Sequence, residues 1–364
     1  MAKPTDKELL EIAANESTMT GPGIDQKIIR RVIWEYYSGS LKALFEDKGW
    51  PIVNASKLVS QTAVFAKETY GSVRAFGKAH PPLTNPVDWE QDTPRSAIFF
   101  GFDSAWTDNP KAPGAICAVG FDTQGHRTFW EPQLVSFAEA LQFIETHRKN
   151  FEYSLVALDQ PSIVPNQSGS RPVDKVAASL VSFIGGGVQP ANRGKVGMFC
   201  DASPVWSFLS GLGAVQDPML SREASNGLFL IEVFPALALP SLNERFAGRL
   251  SAPKYNPQNR KKFSEQDWQE VIRTVSTIAN KLQLSELAEW ADGLTTKERP
   301  RKGEQDKLDA AICLLVGILW RLAPSNSAAM IGSIEEGYMI SPISEATRPR
   351  LSDAAKKRQV AFTV

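Results

Sequence analysis

The sequence is short of the residues that build disulfide frameworks, zinc sites and hydrolytic triads. Its 364 residues include three cysteines and three histidines. Cys117, Cys200 and Cys313 lie far apart, form no CxxC pair and stand among apolar or small residues. We therefore expect buried free thiols in a reducing compartment, the cytoplasm. The histidines are dispersed, with no metal-binding spacing and no Ser-His-Asp order, which disfavours a triad hydrolase.

Net charge and long apolar runs are also missing. The 40 basic and 40 acidic residues give a formal net charge of zero, which argues against a protein that coats nucleic acid through its overall field. A local basic groove is still compatible with this balance, and so is a metabolic enzyme. The longest apolar run, residues 310–319, is about half of the ~20 residues that a membrane helix needs. Residues 1–11 are polar, so we expect neither a membrane partner nor a secretory signal.

Residues 1–95 are expected to form a helical extension followed by a linker. Apolar residues recur at helical spacing over residues 24–44 and 55–73, and residues 80–95 are rich in proline and acidic residues. The first apolar stripe is wide, with Trp34, Tyr36 and Tyr37. We expect it to mediate self-association or to recruit a protein partner, with packing on the rest of the chain as the alternative. Residues 96–345 are expected to form the main domain, and residues 346–364 a polar tail.

A strand pattern replaces the helical pattern after the linker. Five apolar runs predict strands, over residues 97–102, 115–121, 126–130, 153–158 and 227–234. Helices are predicted over residues 136–149, 264–291 and 305–322. The order is three strands in a meander, a helix, a strand, an insertion, a strand and then helices. This order indicates a mixed α/β sheet flanked by helices rather than an alternating dinucleotide-binding pattern.

Acidic residues stand at the ends of several predicted elements. Asp103 follows the first strand, Asp159 follows the fourth, and Glu232 lies near the end of the fifth. Asp306 and Asp309 begin the last helix and, being three residues apart, share one face. Carboxylates at the carboxyl ends of buried strands emerge where α/β proteins bind ligands, and hard divalent cations relieve their repulsion. These five carboxylates therefore indicate a site for Mg²⁺ or Mn²⁺, in which paired ions would hydrolyse a phosphodiester.

Each of these residues also has an ordinary structural explanation. Asp103 and Asp159 could cap turns at the strand ends, and Asp306 or Asp309 could stabilise a helix N-terminus. Glu232 is harder to explain in this way, because unpaired glutamates are rarely buried in apolar strands. A site is favoured because all of these carboxylates occur together at the ends of predicted elements.

Six short motifs occur in the order that is typical of one known family. They are Gly-Phe-Asp-Ser-Ala (101–105), Ala-Leu-Asp-Gln-Pro (157–161), Gly-Ser-Arg-Pro-Val-Asp (169–174), Ile-Glu-Val-Phe-Pro (231–235), Asp-Lys-Leu-Asp-Ala-Ala (306–311) and Ile-Gly-Ser-Ile-Glu-Glu-Gly-Tyr-Met-Ile-Ser-Pro (331–342). In these motifs the chain resembles the family named domain of unknown function 429, whose members are predicted to be RNase H-like nucleases. The resemblance covers residues 96–345 and not the N-terminal helices.

The resemblance implies an RNase H-like fold and a metal-dependent nuclease that acts on nucleic acid. It places four carboxylates at the catalytic metal site: Asp103, Asp159, Glu232 and Asp309. The family often carries a histidine and a second glutamate around the fifth-strand motif, where this chain has Phe234 and Ala236.

Basic residues in two loops are candidates for holding the phosphates of a substrate. Arg171 lies with Asp174 in the matched insertion. Lys254 and Arg260 lie in a second basic segment, in which Tyr255 could stack on a base. The alternative for all of them is a solvated loop.

Two other functions fit the same pattern. Sugar kinases and actin-like ATPases share the core fold but usually place glycine after the first-strand aspartate to cradle phosphate, whereas Ser-Ala-Trp follows Asp103 here. A catalytically degenerate module that binds nucleic acid or protein is the other alternative.

Overall fold

The computed structural model describes residues 66–79, 96–104, 106–296 and 300–364. The chain divides into two compact units, Met1–Asp88 and Trp89–Val364. The described part of the first unit is helical and includes α1, Val73–Ala79, where the rings of Tyr70 and Phe76 meet edge to face at 5.2 Å. The predicted helix over residues 24–44, with its proposed role in self-association, and the linker over residues 80–95 lie outside the described residues.

The second unit is built on a five-stranded mixed sheet. Its strands are β1 Ala97–Asp103, β2 Gly114–Phe121, β3 Arg127–Val135, β4 Tyr153–Asp159 and β5 Gly227–Glu232. They lie in the order β3-β2-β1-β4-β5, with β1, β2 and β3 antiparallel and β4 and β5 parallel to β1. The prediction of a mixed α/β sheet is confirmed.

Strand β3 is longer than its apolar run suggests. The sequence predicts a strand over residues 126–130, whereas the strand continues to Val135 through Pro132. The ladder to β2 shifts register between Ile116 and Ala118, opposite Pro132. Proline is tolerated there because β3 is an edge strand and the bulge leaves that position without a ladder hydrogen bond.

Helices flank the sheet and connect its strands. They are α2 Phe137–Arg148, α3 Pro172–Val181, α4 Pro204–Leu212, α5 Pro218–Glu223, α6 Pro235–Leu242, α7 Glu265–Lys281, α8 Ser285–Gly293 and α9 Lys302–Leu322, with short 3-10 turns at Glu244–Phe246, Leu294–Thr296 and Ser325–Ser327. The single helix predicted over residues 264–291 is two helices, because the chain turns at Gln283, whose φ is +57°. In the described part of the chain no helix is both long and apolar enough to cross a membrane.

A small second sheet closes the C-terminal end. It contains β6 Ala328–Ser333, β7 Gly337–Pro342 and β8 Phe362–Thr363, with α10 Arg348–Arg358 before the last strand. Residues 346–364, which the sequence suggests as a polar tail, therefore belong to the fold. This segment can be polar and still fold, because α10 packs against α3 through Leu351, Ala354 and Ala355 and needs few other apolar residues.

Helix α9 lies on one face of the sheet and helices α2 and α4 on the other. Gly101 in β1 allows the close approach of α9. A Cβ atom there would stand 2.1 Å from the carbonyl oxygen of Ala310 and 2.4 Å from the nitrogen of Leu314. Both atoms belong to the helix backbone, so only a glycine lets the helix sit this close to the strand.

We expect Gly101→Ala to destabilise the protein by about 1–3 kcal/mol, since the added methyl group forces α9 away from the sheet. Equilibrium unfolding in urea measures this change. Gly187→Ala is the matched control, because nothing lies within 4 Å of its added Cβ and its φ is not positive. Its effect should stay within about 0.5 kcal/mol. Equal stabilities of the two variants would contradict the close packing of α9 on β1.

Candidate functional site

Asp103 and Asp159 end two neighbouring parallel strands at the same level. Asp103 of β1 pairs in register with Asp159 of β4. Alternate residues of both strands, such as Phe99 and Leu155, contribute to the core on the α9 side. Because side chains alternate along a strand, both aspartates face α9. Asp103 is buried, whereas Asp159 keeps partial access to solvent.

The first two turns of α9 bring further charges to this edge. Lys302, Asp306 and Asp309 are spaced by four and three residues and therefore share one face of the helix. The Lys302 ammonium donates to Asp306, and Asp306 and Asp309 are both buried. We call the group of Asp103, Asp159, Asp306 and Asp309 the acidic cluster. Lys302 is the part of this arrangement that sequence reasoning missed, although its spacing from Asp306 is a helical ion-pair signal.

The acidic cluster is electrostatically strained. Burial raises the pKa of Asp103 well above 3.8, and repulsion from Asp309, Asp159 and Asp306 raises it further. Burial likewise raises the pKa of Asp159, with repulsion from Asp309 next in size. The pKa of Asp309 is raised to about 6 by burial, against the opposing attraction of Lys302. One ammonium group thus faces several carboxylates, which leaves negative charge for another cation to neutralise.

Two neutral side chains hold Asp309 in place. The Tyr255 hydroxyl donates to Oδ1 of Asp309 at 2.6 Å, and Nε2 of Gln305 donates to Oδ2 at 2.9 Å. Gln305 lies one helical turn before Asp309, so the sequence contained this pairing, whereas Tyr255 comes from a distant loop. The suggestion that Tyr255 stacks on a base stays a prediction; its hydroxyl is engaged with Asp309, and its ring packs against the core and is partly buried.

A second pair of polar side chains joins the loops that follow β1 and β4. Ser104 donates from its hydroxyl to Oε1 of Gln160, and Nε2 of Gln160 donates to the carbonyl of Trp106 at 3.4 Å. Trp106 has a φ of +48°, a left-handed conformation that is uncommon for a large residue. These contacts join the residues that follow Asp103 and Asp159, so the ends of β1 and β4 that carry the two carboxylates are held together.

Glu232 lies on the face of the sheet opposite the acidic cluster, although its charge still raises the pKa of Asp159. It pairs in register with Leu158, and its neighbour two residues back, Leu230, belongs to the core on the face opposite α9. Its carboxylate accepts from both terminal nitrogens of Arg171, at 2.6 and 2.9 Å, and from the backbone nitrogen of Ser162 at 3.1 Å. The structure therefore brings together Asp103, Asp159 and Asp309, while Glu232 is occupied by an ion pair.

The candidate substrate ligands Arg171 and Asp174 are corrected by the structure. Their side chains are 0% and 2% exposed, and Asp174 accepts from the guanidinium of Arg171 and from the backbone of Ala191. A guanidinium that is fully buried between two carboxylates has no donor left for a phosphate. Arg171 is the shared ion-pair partner of Asp174 and Glu232, which gives these residues a structural role.

The other two predicted substrate ligands are accessible. Lys254 precedes Tyr255 and donates from Nζ to the carbonyl of Gly185 at 3.2 Å. Arg260 is exposed on the same loop. The loop therefore reaches the acidic cluster through Tyr255 and offers cations next to it.

The donor chemistry fits a hard divalent cation. The acidic cluster offers carboxylate oxygens whose raised pKa values reflect burial and repulsion, and the buried Oε1 atom of Gln305 lacks a hydrogen-bond partner among the described residues. No group of three or more acidic, histidine or cysteine side chains in that part of the chain is already arranged to hold a metal.

Fold and site together define a mixed α/β protein with an acidic cluster at the carboxyl ends of two parallel strands. Residues 101–329, which include all of the acidic cluster, match the family described as "Protein of unknown function (DUF429)". The chain belongs to this family. No curated protein and no solved structure matches it.

Proposed function

We propose that the protein has an RNase H-like fold and is a metal-dependent nuclease that hydrolyses phosphodiester bonds of nucleic acid. The observation that carries this proposal is the in-register pair Asp103 and Asp159 facing Asp309 of α9. Buried carboxylates that repel one another are unfavourable unless cations balance them. Sites of this kind commonly bind the divalent ions that assist phosphoryl chemistry.

In this proposal Asp103, Asp159 and Asp309 hold Mg²⁺ or Mn²⁺, and Asp306 flanks them. When bound, the metal supplies an activated water and charge neutralisation at the leaving oxygen. Glu232 is not among the proposed ligands, because both of its carboxylate oxygens accept hydrogen bonds from Arg171.

Neighbouring side chains orient Asp309 and limit the repulsion within the acidic cluster. Tyr255 and Gln305 each donate to one oxygen of Asp309, which fixes its orientation and leaves each oxygen a further lone pair. Burial lowers the pKa of Lys302, but attraction to Asp103 and Asp306 outweighs this effect and raises the pKa overall, so the ammonium stays charged at neutral pH. Lys302 thus limits the repulsion before any divalent ion arrives.

A cleavage assay on single- and double-stranded DNA and RNA tests this proposal. We expect hydrolysis with Mg²⁺ or Mn²⁺ and none with EDTA. Cleavage that is insensitive to EDTA would refute the metal dependence. If no substrate is cut, calorimetry with ATP distinguishes the remaining candidates, since nucleotide binding points to a phosphoryl transferase and its absence points to a degenerate binding module.

A further inference from the structure

A surface rich in lysine and arginine extends from the loop of Tyr255 to the C-terminal helix. Residues 249–262 contain five basic residues and no acidic one, although the whole chain has no net charge. Helix α10 contains five basic residues and one acidic residue. We call the basic residues of both segments, all exposed or partly exposed, the basic band: Arg249, Lys254, Arg260, Lys261, Lys262, Arg348, Arg350, Lys356, Lys357 and Arg358.

Hydrogen bonds tie the loop to the segment that follows α3. The backbone nitrogen of Leu250 donates to the carbonyl of Phe183 at 3.0 Å, and that of Ala252 donates to the carbonyl of Ile184 at 2.7 Å. The Lys254 ammonium adds a contact to Gly185. The loop thus has a defined position, and its charges are carried on a fixed backbone.

Helix α10 joins the same segment from another direction. The guanidinium of Arg350 lies 3.7 Å from the centre of the Phe183 ring. Phe183 therefore contacts both segments: its carbonyl accepts a hydrogen bond from the loop, and its ring packs against Arg350 of α10. The buried side of α10 faces α3, so Lys356 and Lys357 lie on its exposed side.

The basic band begins at the acidic cluster, and its charges outnumber the single acidic residue of α10. Lys254 is followed by Tyr255, whose hydroxyl contacts Asp309. Within the described residues none of the basic band's side chains forms an ion pair. Elsewhere in the same residues arginines such as Arg171 and Arg245 are paired with carboxylates. The basic band therefore carries unpaired positive charge next to the acidic cluster, which is suited to contact an anionic ligand.

We propose that the basic band binds the phosphate backbone of a nucleic acid and leads it to the acidic cluster, an inference that rests on the proposed nuclease function. Lysine and arginine side chains that contact phosphates release condensed counterions, which gives affinity without sequence preference. Contacts along both segments would fix the direction in which a strand crosses the site.

Fluorescence anisotropy with the full-length protein and labelled duplex or single-stranded oligonucleotides in EDTA tests the basic band. The variant K356Q/K357Q removes two charges from the last turn of α10. K149Q/K281Q is the matched control, because Lys149 caps the end of α2 and Lys281 lies in the last turn of α7, both exposed and outside the basic band. Thermal melts of both variants check that they are folded.

At ~0.1 M salt we expect K356Q/K357Q to weaken binding by about five- to tenfold for each phosphate contact that is lost. The slope of the logarithm of the binding constant against the logarithm of the salt concentration should become shallower by about one unit per lost contact. The control should bind as the parent does. Equal affinities of the two variants would overturn the proposal that the basic band binds nucleic acid. A preference for anionic lipid vesicles over oligonucleotides would also overturn it.

The result is separable from the proposed function. Because binding is measured in EDTA, it does not require hydrolysis. A protein that binds through the basic band but cleaves nothing would refute the nuclease alone. A protein that cleaves with metal but binds equally well without Lys356 and Lys357 would refute the basic band alone.

Discussion

Asp103→Asn should reduce metal-dependent cleavage by several orders of magnitude while the protein stays folded. Asp103 is the carboxylate that feels repulsion from Asp159, Asp306 and Asp309 alike, so it lies centrally in the acidic cluster. In the proposed site Asp103 would be one of the carboxylates that hold the metal, which would supply charge neutralisation at the reacting phosphate. Asparagine keeps the size of the side chain but removes its charge. The variant would therefore lack transition-state stabilisation that no other group described in the chain replaces.

The same variant should be more stable than the parent in EDTA at neutral pH. The folded protein holds the pKa of Asp103 above its ordinary value of 3.8, mainly through burial. Its ionisation therefore favours the unfolded state, and the parent loses stability as the pH rises above about 4. Asparagine removes this loss. The stability difference should grow with rising pH and vanish in acid, as measured by urea unfolding at several pH values.

Asp306→Asn and Asp201→Asn provide the comparisons. Asp306 is paired with Lys302 at the margin of the acidic cluster, so its replacement should reduce cleavage less than that of Asp103. Asp201 is 99% exposed and should be silent in both assays. If Asp103→Asn cleaves as fast as the parent, the nuclease proposal is wrong and the degenerate binding module takes its place.

The sheet and the core of the acidic cluster are readable in the sequence. Apolar runs that end in an aspartate mark a buried strand and its exit from the sheet, and this pattern indicates Asp103 and Asp159. The helical spacing of Asp306 and Asp309 is sufficient to place them on one face. These signals are local, because the periods of strands and helices are set by the backbone of neighbouring residues.

The remaining features depend on contacts between residues far apart in the chain. The sequence suggests Glu232 and Arg171 for different tasks, and only the structure shows that they neutralise each other. Tyr255 cannot be connected to Asp309 from sequence, since 54 positions separate them. The polar composition of residues 346–364 conceals a helix that needs only three buried side chains. Such pairings are decided by tertiary packing, which local patterns do not encode.

Arg171→Met should destabilise the protein by about 3–5 kcal/mol, the cost of breaking a buried ion pair from one side. Methionine keeps the length of the side chain but leaves Glu232 and Asp174 buried without their shared cation. Glu232 keeps only the backbone nitrogen of Ser162 as a described donor. Urea unfolding of the full-length protein at neutral pH measures the destabilisation.

The pattern of rescue distinguishes a loss of charge balance from a loss of packing. Burial raises the pKa of Glu232 even in the parent, where attraction to Arg171 opposes it. Without Arg171 the carboxyl group should take up a proton more readily, so the deficit of Arg171→Met should shrink as the pH falls. Adding Glu232→Gln should recover part of the stability at neutral pH. Arg148→Met is the surface control, since its pair with Glu145 is well exposed and worth about 0–1 kcal/mol. If the two single variants lose equal stability, Arg171 is not the central cation of a buried network.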